Sequence, residues 1–472
     1  MAESSTNSRL AIDLFIELDR LAGVPLHRQV VRSIRAGIRA GTLALGASLP
    51  PSRVLARDLG VSRGVIVSAY EQLVAEGYLT SQVGGYTQVA IGAEADPAPP
   101  RPDPAPPSTI DFGYGRADVS TFPRVAWLRS IRRVLTEAPN DRFGYPSGRG
   151  VVELRHALAE YLNRVRGTSA KADNIVISNG YAQGSALVVQ TLARSGARRL
   201  AVEDPSSNDD VVPLARSYGL EVVGVPVGDD GVDVTALAAS GADAVVLTPS
   251  HQWPTGAVLP AESRAAVLRW AKQQGALVIE DDYDAEYRYD RAPVGAMQGL
   301  APDQVVYCGS ASKTLAPGLR LGWLVLPADL ADAVADAKVS ADRGSPVLDQ
   351  LTFADFLTEG EFDRHLRRMR PTYRKRRDAL LAALARHLPD LRPAGIAAGL
   401  HLVAWLPDGL AEAPVVDAAA RRGLGVHGVA GYRMARTGPA GLIFGYATLN
   451  ERTIDTGIAL LADVINEVAT PR

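Results

Sequence analysis

Apolar residues recur every four positions at Leu26, Val30, Ile34 and Ile38, the spacing of a helix that buries one face. Pro25 suits the first turn and Gly41 suits a stop, so the helix is predicted between them. A second helix is expected from Pro50-Pro51-Ser52 to Gly60. A third opens with Ser62 as a candidate cap, turns Val65, Ala69 and Leu73 inward, and ends near Gly77. The run Tyr78–Val89 reads as two short strands around the Gly84-Gly85 turn. Three helices followed by a hairpin make a winged helix-turn-helix.

The pattern changes further along the chain. Seven prolines fall within Pro97–Pro107, and proline lacks the N–H and the conformational freedom a helix needs. Such a stretch is expected to be a semi-rigid polyproline spacer. Beyond it, apolar runs at Ile175–Ile177, Leu200–Val202, Ala244–Leu247, Leu277–Ile279 and Val305–Tyr307 alternate with helical stretches such as Pro260–Gln274. That is the signature of an α/β domain with a mostly parallel sheet. After about residue 376 the pattern becomes a smaller α+β unit: Arg376–Leu388, a strand at Leu400–Leu406, and a last helix from Glu451. The expected organisation is a multidomain chain: a winged helix over 12–90, a linker over 91–109, and an α/β domain over 110–472.

Composition narrows this little. The chain has 472 residues, 47% hydrophobic and 22% charged, with net charge -2, so the average points away from nucleic acid. A local patch does not. Arg28, Arg32, Arg35, Arg39, Arg53, Arg57 and Arg63 all fall between residues 28 and 63, opposed only by Asp58. Arginine forks onto phosphates and guanine edges, and the first residues of a recognition helix, here Ser62-Arg63-Gly64, are the ones that reach bases. Arg32, Arg35 and Arg39 alone would read as a solvated helix face. The single cysteine, Cys308, lies in an apolar run, so an intramolecular disulfide framework and a multi-cysteine zinc site are excluded and a buried thiol is expected. No leader-like N-terminus and no run approaching a bilayer span is visible, so a cytoplasmic protein is expected.

The chemistry concentrates around Lys313, in the run Ser310-Ala311-Ser312-Lys313, with Arg320 seven residues on. The amine can form a Schiff base with an aldehyde, and the guanidinium can grip a phosphate with two parallel bonds. The same letters spell the S-x-x-K signature of acyl-enzyme proteins, but no K-T-G partner accompanies it. The run Glu280-Asp281-Asp282-Tyr283-Asp284-Ala285-Glu286 closes a strand, where acids are set for ligand work. A pyridine nitrogen needs an anionic partner to stay protonated, and Asp281 is the candidate; Tyr283 can reach a ring oxygen. Asp284 and Glu286 are expected only to cap a following helix. Ser178-Asn179-Gly180-Tyr181-Ala182-Gln183-Gly184 leads from a strand into a helix, whose first N–H groups suit a phosphate.

Two resemblances follow from these residues. Pro25–Val30, Gly41–Leu43, Leu49–Ala56, Leu59–Arg63 and Ala69–Tyr78 resemble the GntR-family winged helix. The likeness implies DNA contacts at Arg53, Ser62, Arg63, Gly64 and the wing glycines Gly84 and Gly85, with Gly64 standing where the family usually has threonine. Residues 110–472 resemble the fold-type-I aminotransferase domain, on Tyr145–Gly148, Thr248–Gly256, the acidic run and the lysine run. Together the two halves are similar to the MocR/GabR subfamily of transcription regulators, which use pyridoxal 5'-phosphate (PLP). The resemblance implies Lys313 on the aldehyde, Asp281 on the ring nitrogen and Tyr283 on the ring hydroxyl. It implies Arg320, Ser310, Tyr181 and Ala182 on the phosphate, with Ser312 and Gln183 also in the cofactor site, and it implies a homodimer.

Three positions depart from that pattern. Glu203-Asp204-Pro205-Ser206-Ser207 lacks the tyrosine that stacks on the ring. Phe143, with Tyr145 nearby, occupies the place of a tyrosine lent to a neighbouring subunit. Leu442-Ile443-Phe444-Gly445-Tyr446 lacks the arginine that clamps a substrate carboxylate, for which Arg433 or Arg436 is the candidate substitute. The parts that hold PLP are kept and parts that process an amino acid are lost. A regulator that senses PLP or a PLP-reactive amine is therefore expected, with an active aminotransferase as the alternative.

Overall fold

The computed structural model describes residues 16, 18–20, 22–81, 86–90, 109–206, 208–289, 295–395, 397–434 and 438–469. The chain divides into two compact units, Met1–Ala105 and Pro106–Arg472. The Pro-rich stretch expected as a spacer, and the wing glycines Gly84 and Gly85, lie outside the described residues.

In the first unit three helices, Leu26–Arg39, Ser52–Asp58 and Arg63–Ala75, precede antiparallel strands Leu79–Ser81 and Thr87–Val89. Val30, Ile34, Ile38, Leu55, Ala69 and Leu73 form its core. Leu26 is only half-buried. Ile66, rather than Val65, is the fully buried residue in the first turn of the third helix. The strict four-residue spacing drawn from Leu73 overshoots a 3.6-residue turn, which rotates position 65 toward the rim. Ser62 stands at the cap position in extended backbone, without a capping bond from its side chain. Arg35 pairs with Glu76, and both Arg35 and Arg39 lie against the Tyr78 ring, so these two brace the unit rather than merely face water.

The second unit is built on an eight-stranded sheet. Its strand order is Ile175–Ser178, Gly322–Val325, Val305–Ser310, Leu277–Asp281, Ala244–Leu247, Arg199–Asp204, Glu221–Gly228, Gly231–Val232. Among the described strands of this sheet, Gly322–Val325 and the edge strand Gly231–Val232 run against the common direction of the others. All five expected strands are present; they are continuous Val/Ile/Leu runs because both faces of the sheet are covered. Cys308 is buried, as its apolar run implies. A second sheet, Arg392–Ala394, His401–Trp405, Gly441–Gly445 and His427–Gly428, forms the smaller α+β portion. The expected boundary near residue 376 falls inside one helix, Glu361–His387, that runs through Pro371. Phe362, Leu366, Met369, Tyr373, Leu380 and Leu384 keep a buried stripe across that proline, and their burial outweighs one missing hydrogen bond.

Candidate functional site

The parallel strands end together, and their carboxyl ends build one cavity of about 290 Å³. Strand register sets the layout: Asp281 is paired with Cys308 and Ser310 with Gly322 on adjacent strands. Lys313, Asp281, Tyr283, Arg320, Ser310, Ser312, Tyr181 and Ala182 all line this cavity. Gln183 does not. Its side-chain amide donates to Asp342 (2.7 Å) and its carbonyl oxygen accepts from the Asn179 N–H (2.8 Å), so it ties down the helix start from outside.

One part of the cavity lining is a turn between strand and helix. Gly180 precedes the helix Tyr181–Arg194 with φ +81°, and its Cβ-less backbone leaves room for the Arg320 guanidinium. Arg320, itself in left-handed backbone, donates to the Asn179 carbonyl (2.5 Å). A positive guanidinium, the serine hydroxyls and an uncapped helix N-terminus are a donor set suited to a phosphate. Gly180→Ala is expected to add about 1–3 kcal/mol of backbone strain and to push Arg320 aside. PLP affinity measured by fluorescence should fall roughly tenfold, with the thermal midpoint lowered by a few degrees by the same strain; unchanged affinity would remove Arg320 and this turn from the phosphate site.

Another part of the lining is acidic. Burial, then Asp282, Asp284 and Glu203, push the Asp281 carboxyl well above its ordinary range, against the pull of Lys313. A cationic ring nitrogen beside it would favour the anion. The Lys313 amine donates to the Gly115 carbonyl. Tyr283 donates its hydroxyl to the His251 carbonyl (2.8 Å). These residues fit PLP: amine, anion and phosphate donors share one cavity.

Asp284 and Glu286 cap no helix, contrary to the sequence expectation. Asp284 is buried against His251 (Oδ2 to Nδ1, 2.9 Å). Glu286 is pushed up to about 7, chiefly by burial and the nearby Asp282, against the pull of Arg166. The strand leads into turns held by Arg166 and Arg370 instead of a helix, so no helix start is available.

Of the departures, Ser206 lines the cavity and Ser207 lies outside the described residues. Arg433 donates to the Pro439 carbonyl (2.9 Å) and borders a different groove; Arg436 lies outside the described residues. Ile443 is buried with Trp253, Val403 and Val429. Phe143 and Tyr145 are exposed, Tyr145 at 91%.

The sequence reading missed Tyr114, Gly115 and His401 on the cavity wall. His401 reads as one more position of a core strand. Tyr114 follows a two-residue strand, Ile110–Asp111, too short to leave a periodicity signal. The glycine at 445 lets that segment cross the second sheet: a Cβ there would stand 2.3 Å from the Gly113 carbonyl oxygen.

Comparison with known proteins supplies three further findings. Residues 26–89 match the bacterial regulatory proteins of the gntR family, and residues 108–407 match aminotransferase class I and II. The chain is 34% identical to the probable rhizopine catabolism regulatory protein MocR of Rhizobium meliloti, covering 93% of this chain and 94% of that one. It is 30% identical to the pyridoxine biosynthesis transcriptional regulator PdxR of Corynebacterium glutamicum, covering 96% and 99%. Among solved structures, the α-aminoadipate aminotransferase LysN of Thermus thermophilus, complexed with N-(5'-phosphopyridoxyl)-L-leucine, is similar at TM-score 0.68 and 26% identity, covering 76% of this chain and 92% of that one.

Proposed function

The chain belongs to the MocR/GabR subfamily of GntR-type transcription regulators, and from that membership we propose that it binds operator DNA through its winged helix and senses, at Lys313, PLP or an amine that reacts with it. PLP is the cofactor of the aminotransferase-like domain. When bound it supplies an aldehyde that condenses reversibly with amines and a ring that draws electrons.

The observation that carries the reading is the joint lining of one cavity by Lys313, Asp281, Tyr283 and Arg320, in a chain whose other unit is a winged helix. Lys313 supplies the reactive amine. Asp281 holds the proton of the ring nitrogen, and Tyr283 orients the ring oxygen. Arg320, Ser310, Ser312 and the N–H groups of Tyr181 and Ala182 fix the phosphate. An amine competes with Lys313 for the aldehyde, and the two occupied states must differ in affinity for DNA if occupancy is to switch it.

Arg53 and Arg63 are exposed at the starts of the second and third helices, which suits them to a duplex. Arg63→Ala is expected to cost about 1–3 kcal/mol on the operator and relax its base preference. Arg53→Ala is expected to weaken binding to all sequences and lower the salt dependence by about one phosphate contact. Gel-shift titrations at several salt concentrations test both; unchanged affinity for both variants would rule out this face as the DNA-binding surface.

A homodimer accords with the exposed apolar residues Val125, Leu128 and Leu135 on the helix Arg124–Glu137, and with Phe143 and Tyr145 beyond it. Among the described residues no helix is long and apolar enough to cross a membrane, and a cytoplasmic location suits a DNA-binding protein. The likeness to LysN keeps aminotransferase turnover as the second reading. Its test is sustained keto-acid formation from PLP-loaded protein supplied with amino acids and an acceptor keto acid.

A further inference from the structure

Resting on the proposed role of Lys313, we propose that the effector is a primary amine with an aromatic or apolar body and no carboxylate, held against a wall formed by Tyr114, Trp253 and His401.

The wall is continuous. The Tyr114 and Trp253 rings lie 4.4 Å apart between centroids, and Trp253 and His401 also 4.4 Å. Tyr432 stands edge-on to both Tyr114 and Trp253 at 5.7 Å. Leu400 completes the lining on this side. Such surfaces favour flat or apolar bodies through area and ring geometry.

What the wall lacks is positive charge. Among the described residues lining the cavity, only Lys313 and Arg320 are cationic side chains at neutral pH. Lys313 is the group to be displaced. Arg320 is engaged with the helix start beside Gly180. His401 is neutral: burial pushes it well below the usual histidine range, helped by His251 and Lys313, against the Pro254 carbonyl. Arg433 donates to the Pro439 carbonyl, and Ile443 is buried in one apolar cluster with Trp253. Among the described residues, a carboxylate brought here would lose water and meet no further cationic side chain, which is costly.

The exchange balances without an oxidant or reductant. The effector nitrogen forms a C=N bond to the aldehyde carbon, the C=N bond to Lys313 Nζ breaks, and the two hydrogens lost by the effector amine end on Nζ.

The test uses PLP-loaded full-length protein, titrated with 2-phenylethylamine and with phenylalanine while cofactor absorbance is followed. The amine should reach half-response at roughly tenfold lower concentration or less, the scale of one lost charge-assisted contact; phenylalanine doing as well overturns the inference. Trp253→Ala and Tyr114→Ala should each raise the half-response concentration for 2-phenylethylamine at least about fivefold more than for methylamine. Equal effects on both amines overturn the aromatic wall. Borohydride reduction followed by mass spectrometry separates the two levels. An adduct on Lys313 together with a preference for the amino acid sinks only this inference, whereas no adduct sinks the proposed function with it.

Discussion

Lys313→Ala protein should carry no borohydride-fixed cofactor, should lose the visible absorbance of the Lys313-linked form, and should no longer change its operator affinity when PLP or an amine is added. Lys313 lines the same cavity as Asp281 and Arg320, and among the described residues it is the sole lysine there. Removing it leaves PLP with non-covalent contacts only, each charge-assisted bond worth about 1.5–3 kcal/mol. PLP affinity should therefore fall by more than about a hundredfold while the winged helix, in its own compact unit, keeps its basal DNA affinity. A variant that still responds to effector in a gel-shift titration would exclude Lys313 as the sensor.

Arg166→Met should unfold the cofactor unit at markedly lower denaturant concentration, with a cost of about 3–5 kcal/mol. Arg166 and Asp282 are each about 2% exposed and pair at 2.7 Å. Ser250 accepts a second bond from the guanidinium (3.0 Å), and Tyr307 donates to the same Asp282 oxygen (2.7 Å). Burial lowers the guanidinium's proton affinity, but Asp282, Tyr307, Glu286 and Glu280 together outweigh it and hold Arg166 above its ordinary value. Without Arg166, Asp282 becomes a buried carboxylate beside Asp281. Replacing both, as Arg166→Met with Asp282→Leu, should recover part of the loss, because the paired carboxylate leaves with its guanidinium while Glu280 and Glu286 still lose the pull of Arg166. Urea titration of the full chain, followed by near-ultraviolet circular dichroism, distinguishes these outcomes. A loss below about 1 kcal/mol for Arg166→Met would mean that Asp282 finds another partner.

The two predictions draw on residues of different visibility in the sequence. Asp281 and Lys313 were legible because each lies at or just past the end of an apolar strand, and strand ends of a parallel sheet converge by topology alone, while Arg320 was legible from its place seven residues after Lys313. Arg166 was not. It looks like one more arginine in the helix Val152–Arg166, and its partner lies 116 residues away. Asp284 was misread for the same reason: its contact, His251, is set by packing across the sheet and leaves no mark on local spacing. The arginines at 35 and 39 show the limit from the other side, since a charged helix stripe does not reveal whether Glu76 and Tyr78 will fold back to meet it. Strand Gly322–Val325 was hidden by its place, opening on a glycine directly after the Arg320 loop.

The Lys313 amine rests on the carbonyl of Gly115, and the backbone from Thr109 to Gly115 is where the chain arriving from the DNA-binding unit enters the cofactor unit. Thr109 is hydrogen-bonded to Gly423 (2.8 Å), and Phe112 to Gly425 (2.9 Å), so the entry is moored at two points and its next turn forms a wall of the cavity. An aldehyde on Lys313, as proposed, would compete with the Gly115 carbonyl for the amine, so cofactor loading would act first on the segment that opens the cofactor unit.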